Sequence, residues 1–264
     1  MSRGPGGKGA NQAVAAFRAG ARTAMVVALG DDDGGALLRD ALDGVDLSLA
    51  TTSDAPTGTA IITVEESGEN SIVVAPGANG ELTLSEEAKI AVHTARITLA
   101  QLEIPFATVQ AAAAASSYFV LNAAPAAELS DELLAEVDLL VVNETEAETI
   151  AGTDRSALLK KVPAAVVTLG AAGAVILTRG ADEVAVPGVP VDVVDTTAAG
   201  DTFCGVLAAT LAAKSTTDAI SATDLTNAVR RATVAASLSV QAAGAITSVP
   251  HGDAIDARYA EVYL

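Results

Sequence analysis

Val193-Val194-Asp195-Thr196-Thr197-Ala198-Ala199-Gly200-Asp201-Thr202-Phe203-Cys204-Gly205 opens with a β-branched apolar run that ends at Asp195. Small residues follow, and an Ala- and Leu-rich segment continues through Gly205-Val206-Leu207-Ala208-Ala209. This order predicts a strand, a tight turn and a helix N-terminus, a unit typical of α/β folds. The first turn of a helix has unpaired backbone N–H groups and a partial positive charge. Ala198, Ala199 and Gly200 are too small to shield those donors, so a phosphate could sit on them. Asp201 stands beside that anion site. It either takes a proton from an attacking hydroxyl or caps the helix. The first arrangement suits phosphoryl transfer, in which catalysis is mostly positioning and charge stabilisation.

The same strand–turn–helix rhythm runs through the rest of the chain. Arg3-Gly4-Pro5-Gly6-Gly7-Lys8-Gly9 is glycine-rich and leads into a helix that begins at Ala10-Asn11-Gln12-Ala13 and ends at Gly20. Glycines before a helix allow close backbone approach to a ligand, and Lys8 and Asn11 add polar groups there. The alternative is an unstructured start with a helix behind it. The spacing is not the Walker pattern. Residues 23–28 form a short apolar run, and a helix is expected from Gly35 to Leu42, with the acidic triple at 31–33 as a solvated loop or cap. Residues 57–64 and 70–75 are β-rich and are separated by 65–69, which predicts a hairpin. A capped helix from Ser85 to His93 is followed by a strand from Arg96 to Gln101, with Glu103 at its C-terminal end. Ligands of open α/β sheets gather at such ends, although an ordinary surface carboxylate is the commoner fate of a Glu. Further strands are expected at 117–122, 137–142, 164–169 and 174–178, and residues 218–243 read as mainly helical. Asn143 and Glu146 lie three apart. They could either hold water around Mg²⁺ or favour the helix macrodipole at a charged helix start. Together these elements predict one α/β domain over 1–264, a three-layer α/β/α sandwich with a mostly parallel sheet.

Composition narrows the function. Half of the 264 residues are hydrophobic, but only 3% are aromatic and there is no Trp, so alanine and valine must fill the core. That favours close packing of helices on a sheet. The formal charge of −18 argues against a broad field that attracts nucleic acid or an anionic membrane. Any phosphate must be held by local donors. Cys204 is the only cysteine, so no intrachain disulfide forms and a reducing cytoplasm is expected. Cys204 itself reads as small buried filler. His93 and His251 are too few for a histidine-rich metal site. No apolar run is long enough to span a membrane, and the N-terminus does not read as a signal peptide.

Several strings resemble the ribokinase (PfkB-type) carbohydrate kinases. Asp195 to Gly205 resembles their D-T-x-A-A-G-D-T-F-x-G signature, and Gly6 to Ala13 their G-G-K-G-A-N-Q-A sugar-binding element. Gln101-Leu102-Glu103, Asn143 to Glu146, Thr168-Leu169-Gly170-Ala171-Ala172-Gly173 and Gly244 to Pro250 are similar to further family motifs, in the family's order. The resemblance implies ATP-dependent phosphorylation of D-ribose at its primary 5-hydroxyl. Asp201 would be the base, and Ala198, Ala199 and Gly200 the anion hole. Gly7, Lys8, Asn11 and Glu103 would contact the sugar. Asn143 and Glu146 would serve Mg²⁺, while Thr168, Gly170, Ala171 and Gly173, with Gly200, would face ATP. Asp195, Thr197, Ser239, Ala242, Gly244 and Ser248 would hold a monovalent cation, K⁺. The hairpin at 57–76 would be a β lid over the sugar, and a homodimer through that lid is expected. Expected partners are the sugar and ATP, with no nucleic acid and no membrane.

The sequence also departs from the family pattern. The family's first strand, with its N-x-D element before Gly-Gly-Lys, has no counterpart here, which predicts a sugar site weaker than the nucleotide site. Segments 111–117 and 151–163 look shortened. Thr233 stands where the family often places a histidine against adenine. Two other readings therefore stay open: another PfkB-type sugar or nucleoside kinase, and a binding module that keeps only the nucleotide half.

Overall fold

In the computed structural model, residues 3–64, 70–214 and 219–264 are described. The first part of the chain forms α1 (Lys8–Arg18), β1 (Ala28–Gly30), α2 (Asp33–Ala41), β2 (Thr51–Ser53), β3 (Thr59–Val64) and β4 (Asn70–Ala75). The middle forms α3 (Glu86–Thr94), β5 (Thr98–Ala100), α4 (Phe106–Ala115), β6 (Phe119–Asn122), α5 (Asp131–Ala135), β7 (Leu139–Asn143) and α6 (Glu144–Ala151). The last part forms β8 (Ala164–Thr168), β9 (Gly173–Thr178), β10 (Val184–Pro187), α7 (Ala199–Ala212), α8 (Ala222–Ser239) and α9 (Gly252–Tyr263).

The main sheet has the strand order β10-β9-β8-β7-β6-β5. Strands β5 to β8 run parallel, and β9 and β10 are added antiparallel. Alternate residues of these strands point to opposite faces, as the period of a strand requires. Val120, Leu139, Val141, Val166 and Ile176 pack in one core with α1, α7 and α8. Phe119, Leu121, Leu140, Val142, Val167 and Leu177 pack in a second core with α4, α5 and α6. Burial on both faces explains why these strands read as continuous apolar runs rather than alternating ones. The expected three-layer α/β/α architecture is therefore present. Strands β3 and β4 form an antiparallel hairpin apart from this sheet, and β1 pairs with β2 in a third, parallel piece. The turn expected at 65–69 and the helix start expected at Asp218 fall outside the described residues.

Local signals account for most element starts. Asp32 caps α2, its Oδ1 accepting from the Gly35 N–H at 2.8 Å, so the acidic triple contains a cap. Ser85 caps α3 and Ser130 caps α5 in the same way. One expectation fails. Residues 193–195 form no strand: Val193 and Val194 are 58% and 66% exposed. The N–H groups of Val194 and Asp195 both donate to the carbonyl of Val240, at the end of α8, so the segment docks on a helix end instead of joining a sheet.

Helices α1 and α7 carry the residues that matter most below, and they approach closely. A β-carbon at Gly205 would overlap the Gln12 carbonyl oxygen and lie 2.6 Å from the Ala15 β-carbon. Residues Ala10 to Ala16 of α1 are all buried, and Gln12, Ala15 and Ala16 meet α7 at Gly205. An alanine-rich, aromatic-poor composition is what permits this backbone-to-backbone seam.

Candidate active site

The C-terminal ends of β6, β7 and β8 place Asn122, Asn143 and Thr168 around one cleft. Lys8 from α1, Glu146 from α6, and Thr196, Ala198, Ala199, Gly200, Asp201 and Cys204 from the start of α7 complete its walls. Ligands of open parallel sheets bind at this end of the strands.

Asp201 is only 7% exposed. Its Oδ2 accepts from Asn11 Nδ2 at 2.8 Å, and its Oδ1 accepts from Gln12 Nε2 at 2.9 Å. It does not cap its helix. The N-cap is Ala198, and no side chain bonds there. Burial pushes the Asp201 carboxyl above its ordinary value, against the pull of Asn11, Lys8 and Gln12. Asn11 Oδ1 is buried and has no hydrogen-bond partner, so one acceptor beside Asp201 stands ready for a donor.

The turn before α7 is bent by Ala198, the one non-glycine residue with positive φ among those described, at 58°. That conformation is uncommon for a side chain with a β-carbon and clusters at functional sites. The Ala199 N–H bonds back to the Thr196 carbonyl at 3.2 Å, and the Thr202 N–H to Ala198 at 2.8 Å. The turn thus leaves the N–H groups of Ala198, Gly200 and Asp201 without a backbone partner among the described residues, while that of Ala199 is taken by Thr196.

Asn143 and Glu146 form a capping box. The Asn143 Oδ1 accepts from the Glu146 N–H, and Glu146 Oε2 accepts from the Asn143 N–H, both at 2.8 Å. The helix-start reading is therefore realised in geometry, while both side chains also line the cleft. Burial raises the Glu146 carboxyl above its usual range, with the Asn143 N–H and Lys8 opposing. Thr168 lies in the cleft wall, but Gly170, Ala171 and Gly173 do not. They form the turn from β8 to β9, with Gly173 at φ 101° and pressed against the Val186 carbonyl.

Lys8 is the first residue of α1, reached through Gly7 at φ 97°. Its N–H donates to Glu103 Oε2 at 3.0 Å, which ties the end of β5 to the helix start. Its side chain makes no ion pair among the described residues and lines the same cleft as Gly200 and Asp201.

A second cluster lies behind the turn. Asp195 Oδ1 accepts from the Thr197 N–H at 2.9 Å and Oγ1 at 2.6 Å, and Oδ2 accepts from the Gly244 N–H at 2.8 Å. These bonds, that from Gly244 first, hold the carboxyl below its ordinary value. Ser248 and Ser239 each donate to a carbonyl, of Ala245 and Ala236, and the Ala242 N–H bonds to the Ser239 carbonyl. The Asp195 carboxylate thereby joins the two segments expected to share a cation. Thr233 is buried in α8, and its hydroxyl turns back to Val229.

Sequence reasoning passed over Gln12, Gln101 and Asn122 as functional residues, although all three are buried around Asp201 or its donors. The available signal was a side-chain amide at the end of an apolar strand, at Gln101 and at Asn122. Cys204 is buried as expected, but it also lines the cleft, and burial holds its thiol well above its ordinary value.

A family model described as pfkB family carbohydrate kinase matches residues 1–252, and the chain belongs to that family. It is 38% identical over 265 residues to a ribokinase of Haemophilus influenzae, covering 93% of this chain and 84% of that protein. It is 39% identical over 270 residues to the bifunctional ribokinase/ribose-5-phosphate isomerase A of Fructilactobacillus sanfranciscensis; the match covers 95% of this chain but spans about half of that protein, 48%. The fold matches the structure of Arabidopsis thaliana ribokinase complexed with ribose and ATP with a TM-score of 0.88 at 32% identity, covering 96% of this chain and 87% of that one. Among the described residues no helix is long and apolar enough to cross a membrane.

The Asp201 environment gives a stability test. A carboxyl whose folded-state pKa is raised destabilises the fold at pH above that pKa, and the penalty disappears as pH falls below the unfolded value of about 4. Asp201→Asn is therefore expected to raise the melting temperature by roughly a few degrees near neutral pH. The gain should shrink toward zero as the pH approaches about 4. Calorimetry of both chains across this range checks it, and an equal or lower melting temperature near neutrality contradicts a carboxylate destabilised by burial.

Proposed function

We propose that this chain transfers the γ-phosphoryl group of ATP to the primary 5-hydroxyl of D-ribose, giving ribose 5-phosphate and ADP. The observation that carries the reading is the buried Asp201 carboxylate set beside free N–H groups at the start of α7. The similarity to ribokinases over nearly the whole chain supports ribose as the sugar.

In this reading the hydroxyl gives its proton to Asp201, and its oxygen forms the new bond to the γ-phosphorus. The bond from that phosphorus to the β-phosphate oxygen breaks, and ADP leaves. The N–H groups of Gly200 and Asp201 face the charge on the transferring group, and the Lys8 ammonium neutralises part of it. Asn11 Oδ1 accepts a sugar hydroxyl, which satisfies its orphaned lone pairs. Glu103 and the Gly7 turn complete the sugar side. Thr168 and the 170–173 turn contact the nucleotide.

The donor set fits two cations. Glu146, with Asn143, offers oxygen ligands to the hydration shell of Mg²⁺, which would neutralise ATP phosphate charge. Asp195, held ionised, accepts from the Thr197 and Gly244 N–H groups, and in this reading the backbone of Thr197, Ala242 and Gly244 and the hydroxyls of Ser239 and Ser248 complete the set. This hard-oxygen set suits K⁺, which would steady the 198–200 turn. The sugar and nucleotide substrates and the single buried Cys204 fit a cytoplasmic enzyme. The hairpin β3–β4 leaves Ile61, Val73 and Val74 at least half exposed, and an isolated two-stranded ribbon is marginal in water. That supports its role as a lid that pairs with the lid of a second copy.

Three measurements test these readings. Asp201→Asn should bind ATP nearly as the parent does while turnover falls at least about a hundredfold. Near-normal turnover removes Asp201 as the base. Activity in potassium should exceed that in a bulky organic-cation buffer severalfold, and equal rates remove the K⁺ site. Sedimentation should find a dimer that Ile61→Glu converts to monomer; a parent that is monomeric at tens of micromolar contradicts lid pairing.

A further inference from the structure

We propose that Gln12 is a positioning residue for the Asp201 carboxylate, and that Gln101 acts through it. The proposal rests on the reading of Asp201 as proton acceptor.

Gln12 is 2% exposed, and every polar atom of its side chain is engaged. Its Nε2 donates to Asp201 Oδ1 at 2.9 Å and to Asn122 Oδ1 at 3.0 Å, while its Oε1 accepts from Gln101 Nε2 at 2.8 Å. Asn122 Nδ2 in turn donates to the Val141 carbonyl at 3.3 Å. Each amide fixes the orientation of the next. A flipped Gln12 would set its oxygen against the oxygens of Asp201 and Asn122, and its N–H groups against those of Gln101. The network therefore admits one orientation, with the donor toward Asp201.

The two donors on Asp201 differ in what they have left to offer. Asn11 keeps an unpartnered Oδ1 and can answer to a substrate hydroxyl. Neither amide forms part of the cleft wall, but Gln12, unlike Asn11, has no spare polar atom. Substrate cannot use it, so its effect on the reaction passes through the carboxylate that it holds. The backbone under Gln12 is equally fixed, since its carbonyl meets α7 at Gly205. Near-attack geometry is sensitive to small displacements of a reacting group, so a carboxylate held on one oxygen only is expected to lose turnover and not substrate affinity.

The test uses the full chain, steady-state kinetics with ribose and ATP, and the variants Gln12→Met, Gln101→Met and the double substitution. Methionine keeps the length of glutamine and removes the amide. Gln12→Met should lower kcat by about tenfold to a hundredfold, with both KM values within about twofold of the parent. Gln101→Met should lower kcat by itself and add nothing in the Gln12→Met background. An unchanged kcat in Gln12→Met, a rise in KM with kcat preserved, or additive losses in the double variant would each overturn the proposal. If Gln12→Met fails to fold by thermal melting, Gln101→Met alone decides: a fall in kcat at constant KM supports the relay, and a normal kcat overturns it. Asp201→Asn is measured alongside. If it is inactive while Gln12→Met is normal, only the positioning role falls. If it turns over normally, the base assignment falls and the positioning role with it.

Discussion

One ionisable carboxylate, Asp201, is held out of water at the junction of two packed helices. Moving such a group from water into a protein costs several kcal/mol after relaxation. Hydrogen bonds to a charged group return about 1.5–3 kcal/mol each, and Asp201 receives two from side chains. Its raised pKa shows that desolvation still wins. The site thus keeps a carboxyl held above its ordinary value, beside backbone N–H groups that have no backbone partner. Fold stability and proton affinity are coupled at this one residue, and the surrounding amides are arranged to serve it.

The sheet makes that arrangement geometrically possible. Strands β5 to β8 run parallel, so their C-terminal ends lie together, and each ends in a polar residue or leads into one: Gln101, Asn122, Asn143 and Thr168. Helix α1 crosses one face and delivers Lys8, Asn11 and Gln12 to the same edge. The apolar cores on the two faces reach the cleft only at a few residues, such as Val141, Val142 and Cys204, yet they set where these polar side chains stand.

Much of this was legible from sequence because the signals are local. Ala198 to Asp201 reads as a helix start, since small residues precede an apolar run, and Asn143 and Glu146 have capping-box spacing. The two faces of the sheet were legible as unbroken Val and Leu runs. Three features were not. Val193-Val194 has strand composition but lies exposed against the end of α8, because its partner is a carbonyl about fifty residues away in sequence. The N–H of Ala199 is taken by Thr196, which depends on a left-handed turn that an alanine does not announce. The Gln12, Gln101 and Asn122 relay joins residues about ninety to one hundred and ninety positions from Gln12 or Asp201, and no spacing rule reports such contacts.

The seam between α1 and α7 has an evolutionary consequence. Where Gly205 meets the Gln12 carbonyl, backbone touches backbone, so no rotamer change can widen or narrow the gap. The distance between Asp201 and its two amide donors is consequently not open to gradual adjustment by side-chain size. Any larger residue must displace a whole helix, and with it the cleft. Variation that leaves the chemistry intact is confined to places with open space, such as the hairpin and the rim. In a lineage built on this seam, the rim can drift while the placement of the buried carboxylate stays fixed.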